Sequence, residues 1–394
     1  ARGRRLRLLH WVNSARESGT DRRLRPHLSA ERPASGFPAT CAGAAGVIAF
    51  ATKADYTRAM RTPKRIAADI RRHVGGAVLL GEPLSAHTTY RVGGPAEVFV
   101  QPRDSREAAW VYRFAWGERI PLTVIGAGSN VIAPDEGVPG VLLQMKSAAP
   151  RITFSRDGRA RCDAGVLLHD LVVAAARRGL VGLEPLAGIP GTVGGAVVMN
   201  SGTRDADASL HLVRAVLMTP RGAARPFAGD ELAFGYRRSV VLGSDWLLLS
   251  AEFELSPGDP ARSMRTVQEF LTERERKYPL EMPSAGSVFK RPAGDYPGRL
   301  IEAAGCKGLR VGDAVVSDRH ANFIVNAGAA TAIDIMELIA KVRKRVYERT
   351  GVILELEQIP LAASPAMEAR AAVSVKRRGA SKSPCRRGSP PRRS

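Results

Sequence analysis

The stretch LAGIPGTVGGAVVMNSG, residues 186–202, sets five glycines in an otherwise apolar run and ends in Met199-Asn200-Ser201-Gly202. Glycine is used where a backbone turns tightly or must let another group come close. The run is not a P-loop, because no Gly-Lys-Ser/Thr follows its spacer, and it holds no G-x-G-x-x-G. A second such stretch, IGAGSNVIAP (125–134), follows the strand-like PLTVI (121–125). It opens like a dinucleotide fingerprint at Gly126-Ala127-Gly128, but Val131 stands where the third glycine belongs. Pro134, Asp135 and Gly137 then block the helix the fingerprint requires. What remains is a nest of backbone N–H groups, supplemented by Ser129 and Asn130, suited to a pyrophosphate without a helix dipole. Either loop alone reads equally well as a tight turn. Together, small and nearly uncharged, they read as two sides of one extended phosphate ligand.

At 394 residues and 44% hydrophobic content, the chain has length for two or three lobes around real cores. Its net charge of +21 invites a nucleic-acid reading. The charge is peripheral, however: roughly +6 lies in residues 1–52 and about +8 in 361–394, leaving about +7 for the middle. Residues 1–55 read as a basic, disordered extension and 361–394 as a basic low-complexity tail. No run approaches the roughly 18 apolar residues of a membrane-spanning helix. Cys41, Cys162, Cys306 and Cys385 are scattered without metal-type spacing, so no metal is expected and a reduced, cytoplasmic setting is.

Composition and periodicity predict strands at 96–101 and 121–125 flanking a helix that begins with Ser105 as its cap. Helices follow at 166–178 and 261–277, with a strand at 246–255 between them. Thr331 caps a long amphipathic helix carrying Ile333, Met336, Ile339, Val342 and Val346 on one face. VILELE (352–357) reads as a last strand, with Leu354 and Leu356 on one side and Glu355 and Glu357 on the other.

Seven motifs then occur in one order: HTTYRVGGPAEVFV (87–100), IGAGSNVI, LAGIPGTVGGAVVMNSG, FGYRRS (234–239), PSAGSVFKRP (283–292), HANFIVNAG (320–328) and LELE (354–357). Their order resembles the UDP-N-acetylenolpyruvoylglucosamine reductase family over about residues 60–357, in its shorter type II subclass. The resemblance implies an α+β fold: an FAD-binding PCMH/vanillyl-alcohol-oxidase-type fold of two lobes plus a smaller α+β substrate domain. It places lobe 1 at 56–140, joined by the C-terminal strand near 352–360, lobe 2 at 141–276 and the substrate domain at 277–351. FAD would be the cofactor, held by Gly126, Ala127, Gly128, Ser129 and Asn130 and by Ile189, Pro190, Gly191, Thr192, Gly194 and Gly195. NADPH would be the co-substrate and UDP-N-acetylglucosamine enolpyruvate the substrate of a monomer acting without membrane or nucleic acid. Ser287 matches the family's proton donor, Arg237 the arginine that grips the substrate carboxylate, and Glu357 its carboxyl partner. Lys290 and Arg291 carry charge suited to the substrate diphosphate. His320 and Asn322 are read as supporting groups.

Two departures from the family pattern stand out. QIPLAASP follows Glu357 where the family continues its strand, so that strand is expected to end early. NSGTRDA replaces Asn-Ala-Gly-Ala-Tyr-Gly after the second loop. The rival readings are another FAD-dependent oxidase of the same fold, and a basic nucleic-acid-binding protein using its tails.

Overall fold

The computed structural model describes residues 61–149, 151–204, 206–220 and 222–361. Of the basic ends read as extensions, only Leu361 lies within the described residues. Helix α1 (Pro63–Arg71) leads into β1 (Ala77–Pro83), which runs antiparallel to β2 (Pro95–Gln101). Helix α2 (Ser105–Gly117) crosses over to β3 (Leu122–Ile125), and the short β4 (Val131–Ile132) precedes β5 (Val138–Gln144). The first sheet has the order β1-β2-β5-β3, with β2, β5 and β3 parallel. Parallel neighbours need a crossover, and the predicted strand–helix–strand unit supplies it.

The cap of α2 is Asp104, not Ser105. The extended backbone of Asp104 turns its carboxylate onto the N–H groups of Arg106 and Glu107, at 2.9 and 3.1 Å, outcompeting a neutral hydroxyl. Ser105 Oγ instead donates to the Leu249 carbonyl at 2.8 Å, tying α2 to the second sheet.

That second sheet is antiparallel throughout, in the order β10-β9-β11-β7-β6. Its strands are β6 (Ile152–Phe154), β7 (Arg159–Asp163), β9 (Leu212–Met218), β10 (Ala224–Ala228) and β11 (Leu247–Glu254). Helix α3 (Leu168–Ala176), the small strand β8 (Leu180–Val181) and helix α4 (Val193–Met199) interrupt it between β7 and β9. The strand β12 (Ser256–Pro257) pairs with β8 and leads into α5 (Pro260–Lys277).

Beyond α5 the chain forms α6 (Pro297–Ala303) and a small sheet of β13 (Arg310–Val311), β14 (Ala314–Val316) and β15 (Ile324–Asn326). Helix α7 (Ala332–Thr350) then opens with a capping box. The Thr331 hydroxyl accepts from the Asp334 N–H at 3.0 Å, and the Asp334 carboxylate accepts from the Thr331 N–H at 2.9 Å. Ile335, Met336, Leu338, Ile339, Val342 and Val346 bury the α7 stripe against Val288, Phe289, Leu300 and Ile301. Ile333 is only half-buried. The Asp135 carboxylate accepts from the Ala332 and Ile333 N–H groups at 2.8 and 3.1 Å, which fastens α7 to the segment after the first glycine loop.

Residues 352–357 do not form the expected regular strand: their pairing is a single antiparallel bridge between Leu356 and Phe289, and the two flanking glutamates differ sharply in burial. Glu355 is 76% exposed at its side chain and Glu357 only 13%. The reason is that this stretch divides its hydrogen bonds between two partners. The Glu355 carbonyl accepts from the Lys290 N–H at 2.9 Å and the Glu357 N–H donates to the Val288 carbonyl at 2.8 Å. The Ile359 N–H then donates to the Asn130 carbonyl at 2.9 Å, and β16 (Ile359–Pro360) runs parallel to β4. The chain therefore does not stop early after Glu357. It threads between the Ser287 segment and the first glycine loop.

Candidate active site

The first glycine loop, 126–130, turns from β3 into β4 without a helix, as its Pro and Gly content predicts. Gly128 holds φ +68°, and a Cβ there would sit 2.1 Å from the His87 carbonyl oxygen. Only glycine fits that contact. The Thr89 N–H donates to the Gly128 carbonyl at 3.1 Å, so the HTTY motif is the mould of this loop.

The second loop touches the first. Ser129 Oγ donates to the Pro190 carbonyl at 3.0 Å, and a Cβ on Gly126 would lie 2.6 Å from Thr192 Oγ1. The 189–195 stretch, expected to be a glycine-rich ligand loop, is not loop throughout: α4 begins inside it. Thr192 is its cap, its hydroxyl accepting from the Gly195 N–H at 3.3 Å.

Both loops line one cleft of about 880 Å³, the size class of a cofactor site. Their fit to a dinucleotide can be judged from the backbone. The amides of Ala127, Gly128, Ser129, Gly191 and Thr192 donate to no other described residue. Amide donors converging on a concave surface and lacking protein acceptors are what a pyrophosphate requires. Apolar groups such as Met145, Val198 and Leu248 line the same cleft and offer a wall for a ring system. The residues present fit FAD.

Arg237, Ser287 and Glu357 line this same cleft, although about 50 and 70 residues separate them along the chain. Arg237 occupies a two-residue turn closed by reciprocal bonds between Gly235 and Arg238 at 2.9 and 3.1 Å. Its φ is +53°, a left-handed conformation costly to any residue with a Cβ and often kept at working sites. The guanidinium is fixed on three sides. Nε donates to Glu357 Oε1 at 2.7 Å, Nη1 to the Asn200 carbonyl at 3.2 Å and Nη2 to the Gly202 carbonyl at 2.8 Å. Three of the five guanidinium N–H donors are thereby used among the described residues, which leaves two for an anion.

Burial pushes the Glu357 carboxyl above the usual glutamate range, against the opposing pull of Arg237 and Lys290. Asn130 Nδ2 donates to the Glu357 carbonyl at 3.2 Å, linking this acid to the first glycine loop. Ser287 pairs with Phe323 in an isolated bridge, and the next residue, Val288, accepts the Glu357 N–H. Asn322 braces that segment, accepting from the Phe289 N–H at 3.0 Å and donating to the Phe289 carbonyl at 2.9 Å. His320 lines the cleft against Tyr278 and Phe323. Burial, aided by Lys277 and Lys307, holds its imidazole below the usual histidine value.

The two proposed diphosphate cations part company. Arg291 lines the cleft with its guanidinium 4.9 Å from the Tyr296 ring centre. Lys290 does not line it and faces the exposed Glu355 at 3.7 Å. Their alternation follows from the extended backbone, which sends successive side chains to opposite faces. Lys277, the last residue of α5, does line the cleft and was not singled out from the sequence. Its TERERK context (272–277) reads as a solvated charged face, and only its position before Tyr278-Pro279 sets it apart.

Comparison with known proteins agrees with this geometry. A model of the FAD binding domain matches residues 96–225, and one of the UDP-N-acetylenolpyruvoylglucosamine reductase C-terminal domain matches 278–359. UDP-N-acetylenolpyruvoylglucosamine reductase 2 of Symbiobacterium thermophilum is 42% identical over 283 residues, 72% of this chain and 91% of the relative. The reductase of Moorella thermoacetica is 43% identical over 280 residues, 71% of this chain and 92% of the relative. The crystal structure of the Thermus caldophilus reductase superposes with a TM-score of 0.61 at 36% identity, over 73% of this chain and 99% of that one. The α+β class and the FAD-binding fold of the vanillyl-alcohol-oxidase type thus hold. With the flavin-type loops, the Arg237–Glu357 pair and the Ser287 segment all on one cleft, the chain belongs to the UDP-N-acetylenolpyruvoylglucosamine reductase family.

Proposed function

We infer that this protein reduces UDP-N-acetylglucosamine enolpyruvate to UDP-N-acetylmuramate with NADPH, a step in making peptidoglycan precursors. The observation that carries the reading is the convergence of Arg237, Ser287 and Glu357 on the cleft lined by both glycine loops. Bound FAD supplies hydride transfer, first from NADPH and then to the alkene. The loops 126–130 and 189–195 would hold its pyrophosphate on their amides. Arg237 offers its remaining donors to the substrate carboxylate, where negative charge grows as the alkene gains hydride. Glu357 fixes the Arg237 guanidinium, and its elevated pKa favours a protonated form that donates rather than repels at that carboxylate. Ser287 Oγ–H gives its proton to the carbon beside the carboxylate. A serine hydroxyl is a weak acid, so it releases the proton only toward the strongly basic carbon formed in the reaction. Lys277 and Arg291, both on the cleft wall, would meet the substrate diphosphate.

The working division into lobes 56–140 with 352–360, 141–276 and 277–351 belongs to the same reading. Support for it comes from the three larger sheets, one to each lobe, although β5 (Val138–Gln144) carries the first sheet past residue 140. The reading also takes the protein to be a cytoplasmic monomer that acts without nucleic acid or membrane. No helix among the described residues is long and apolar enough to cross a membrane.

An absorbance spectrum tests the proposal. Purified protein is expected to show a flavin band, lose it on adding NADPH without air, and regain it on adding the enolpyruvyl substrate. Return of the band with oxygen but not with substrate would instead favour an oxidase of the same fold.

A further inference from the structure

Gln358 follows the proposed acid Glu357, and its side-chain amide makes three hydrogen bonds. It is 2% exposed. Its Nε2 donates to the carbonyls of Ala285 and Gly286 at 3.1 and 3.2 Å, and its Oε1 accepts from the Tyr90 hydroxyl at 3.1 Å. Both amide hydrogens are thus spent on the two residues immediately before Ser287. Tyr90 is itself fully buried, and its carbonyl accepts from Asn326 Nδ2 at 3.0 Å, so the far end of this chain of bonds is anchored too.

The Ser287 segment needs such an anchor on that side. Downstream, Ser287 pairs with Phe323 and the Val288 N–H donates to the Asn322 carbonyl at 2.9 Å. Upstream, Gly286 takes φ +72° and has open space where a Cβ would stand. No side-chain packing at that point limits the rotation of the backbone leading into Ser287. The amide of Gln358 does what packing does not: it fixes the carbonyls of 285 and 286 directly. Because Gln358 is one peptide away from Glu357, the same side chain links the two segments that carry the acid and the serine.

We propose that Gln358 is a positioning residue which holds Ser287 in register with Glu357 for proton delivery to the substrate carbon. This rests on the proposed roles of Ser287 and Glu357. Gln358 touches neither substrate nor cofactor, and its effect falls on the step that uses Ser287. Hydride uptake from NADPH does not use Ser287 and is left alone.

The test separates the two half-reactions by rapid mixing with flavin-loaded enzyme. The wild type comes first: if NADPH does not bleach it, or the enolpyruvyl substrate does not restore its colour, the functional reading itself has failed. Given that behaviour, Gln358→Met, which keeps length without hydrogen bonds, is expected to bleach with NADPH within about 2-fold of wild type. Its reoxidation by substrate should slow about 10- to 100-fold, as misplacing a reacting group by about 1 Å commonly does. The solvent deuterium isotope effect on reoxidation should rise as proton delivery becomes limiting. Tyr90→Phe removes only the outer bond and should stay within about 3-fold in both steps. If Gln358→Met does not fold, Gln358→Glu keeps the shape, and its reoxidation should be slow at neutral pH. It should recover in part on acidification, when the carboxyl can again donate to a carbonyl. Unchanged reoxidation in the folded variant would overturn the proposal, and so would equal slowing of both half-reactions, which marks a general stabiliser.

Discussion

The two halves of the cleft are built on opposite principles. The side proposed for the cofactor is backbone: amides of 127–129 and 191–192, exposed by glycines and moulded by the contact between loops. The side proposed for the substrate is side chain: Arg237, Ser287 and Glu357, carried in by a strained turn, an isolated bridge and a threaded C-terminal stretch. A backbone site tolerates almost any change of chemistry except an added Cβ, and a side-chain site tolerates modest steric change but no loss of its functional group. The contrast can be broken by one substitution in each half. Ser287→Ala should leave flavin content and stability near wild type while lowering kcat about 10²- to 10⁴-fold, the usual reach of a positioned general acid. Retained fast turnover would remove the serine from the mechanism.

Gly128→Ala attacks the other half. The left-handed backbone alone costs roughly 1–3 kcal/mol for a residue with a Cβ. The new methyl would also sit 2.1 Å from the His87 carbonyl oxygen, a backbone atom that cannot swing aside. The expected outcome is a lower Tm and loss of bound flavin, followed by loss of activity that added FAD partly restores. A variant that keeps its flavin and stability would show that the loop does not need its glycine.

These halves were unequally legible in the sequence. Glycines without a following helix announced the first loop, because backbone geometry leaves a local signature at Gly126, Gly128 and Pro134. The opening of α4 was hidden because Gly194 and Gly195 have poor helix propensity, and the cap at Thr192 had to be recognised against them. The side-chain half carried little local signal. Nothing in FGYRRS says that Arg237 meets the carbonyls of Asn200 and Gly202. Only the family resemblance selected Arg237, Ser287 and Glu357. Alternation paired Glu355 with Glu357 but could not say which of them is buried; the bridge of Leu356 to Phe289 and the bond from Asn130 bring Glu357 against the cleft and leave Glu355 in solvent. Lys277 was missed because a charged helix end resembles any solvated face.

A pH experiment sharpens the substrate half. The folded pKa of Glu357 lies above its unfolded value because burial disfavours the carboxylate. Its native state therefore binds more protons in the window between the two values. The stability it contributes is complete below the ordinary glutamate pKa and is lost as pH rises through the raised folded value. Glu357→Gln removes this dependence. Across that window the variant should gain stability relative to wild type in denaturant melts, with flat differences on either side. If the protonated carboxyl serves the reaction, wild-type kcat falls as pH rises through the raised folded value, and that fall should be absent in Glu357→Gln. Parallel pH profiles for both proteins would mean that this carboxyl does not titrate in the working range.

The smallest effect is expected where two neighbouring cations share a motif but not a face. Lys290 meets Glu355, which is 76% exposed, and such surface pairs contribute about 0–1 kcal/mol. Lys290→Ala should therefore change KM for the nucleotide substrate by no more than about 2-fold. Its remaining influence is the weak downward pull on Glu357, so the alkaline limb should move slightly up in pH. Arg291→Ala removes a cation from the cleft wall together with its contact to Tyr296, and an approximately 10-fold rise in KM is the scale of one lost charge-assisted hydrogen bond. Steady-state kinetics on the pair decide the matter. Equal effects would mean that a substrate phosphate draws Lys290 round from Glu355, and that the alternation of the extended backbone does not govern which cation serves the site.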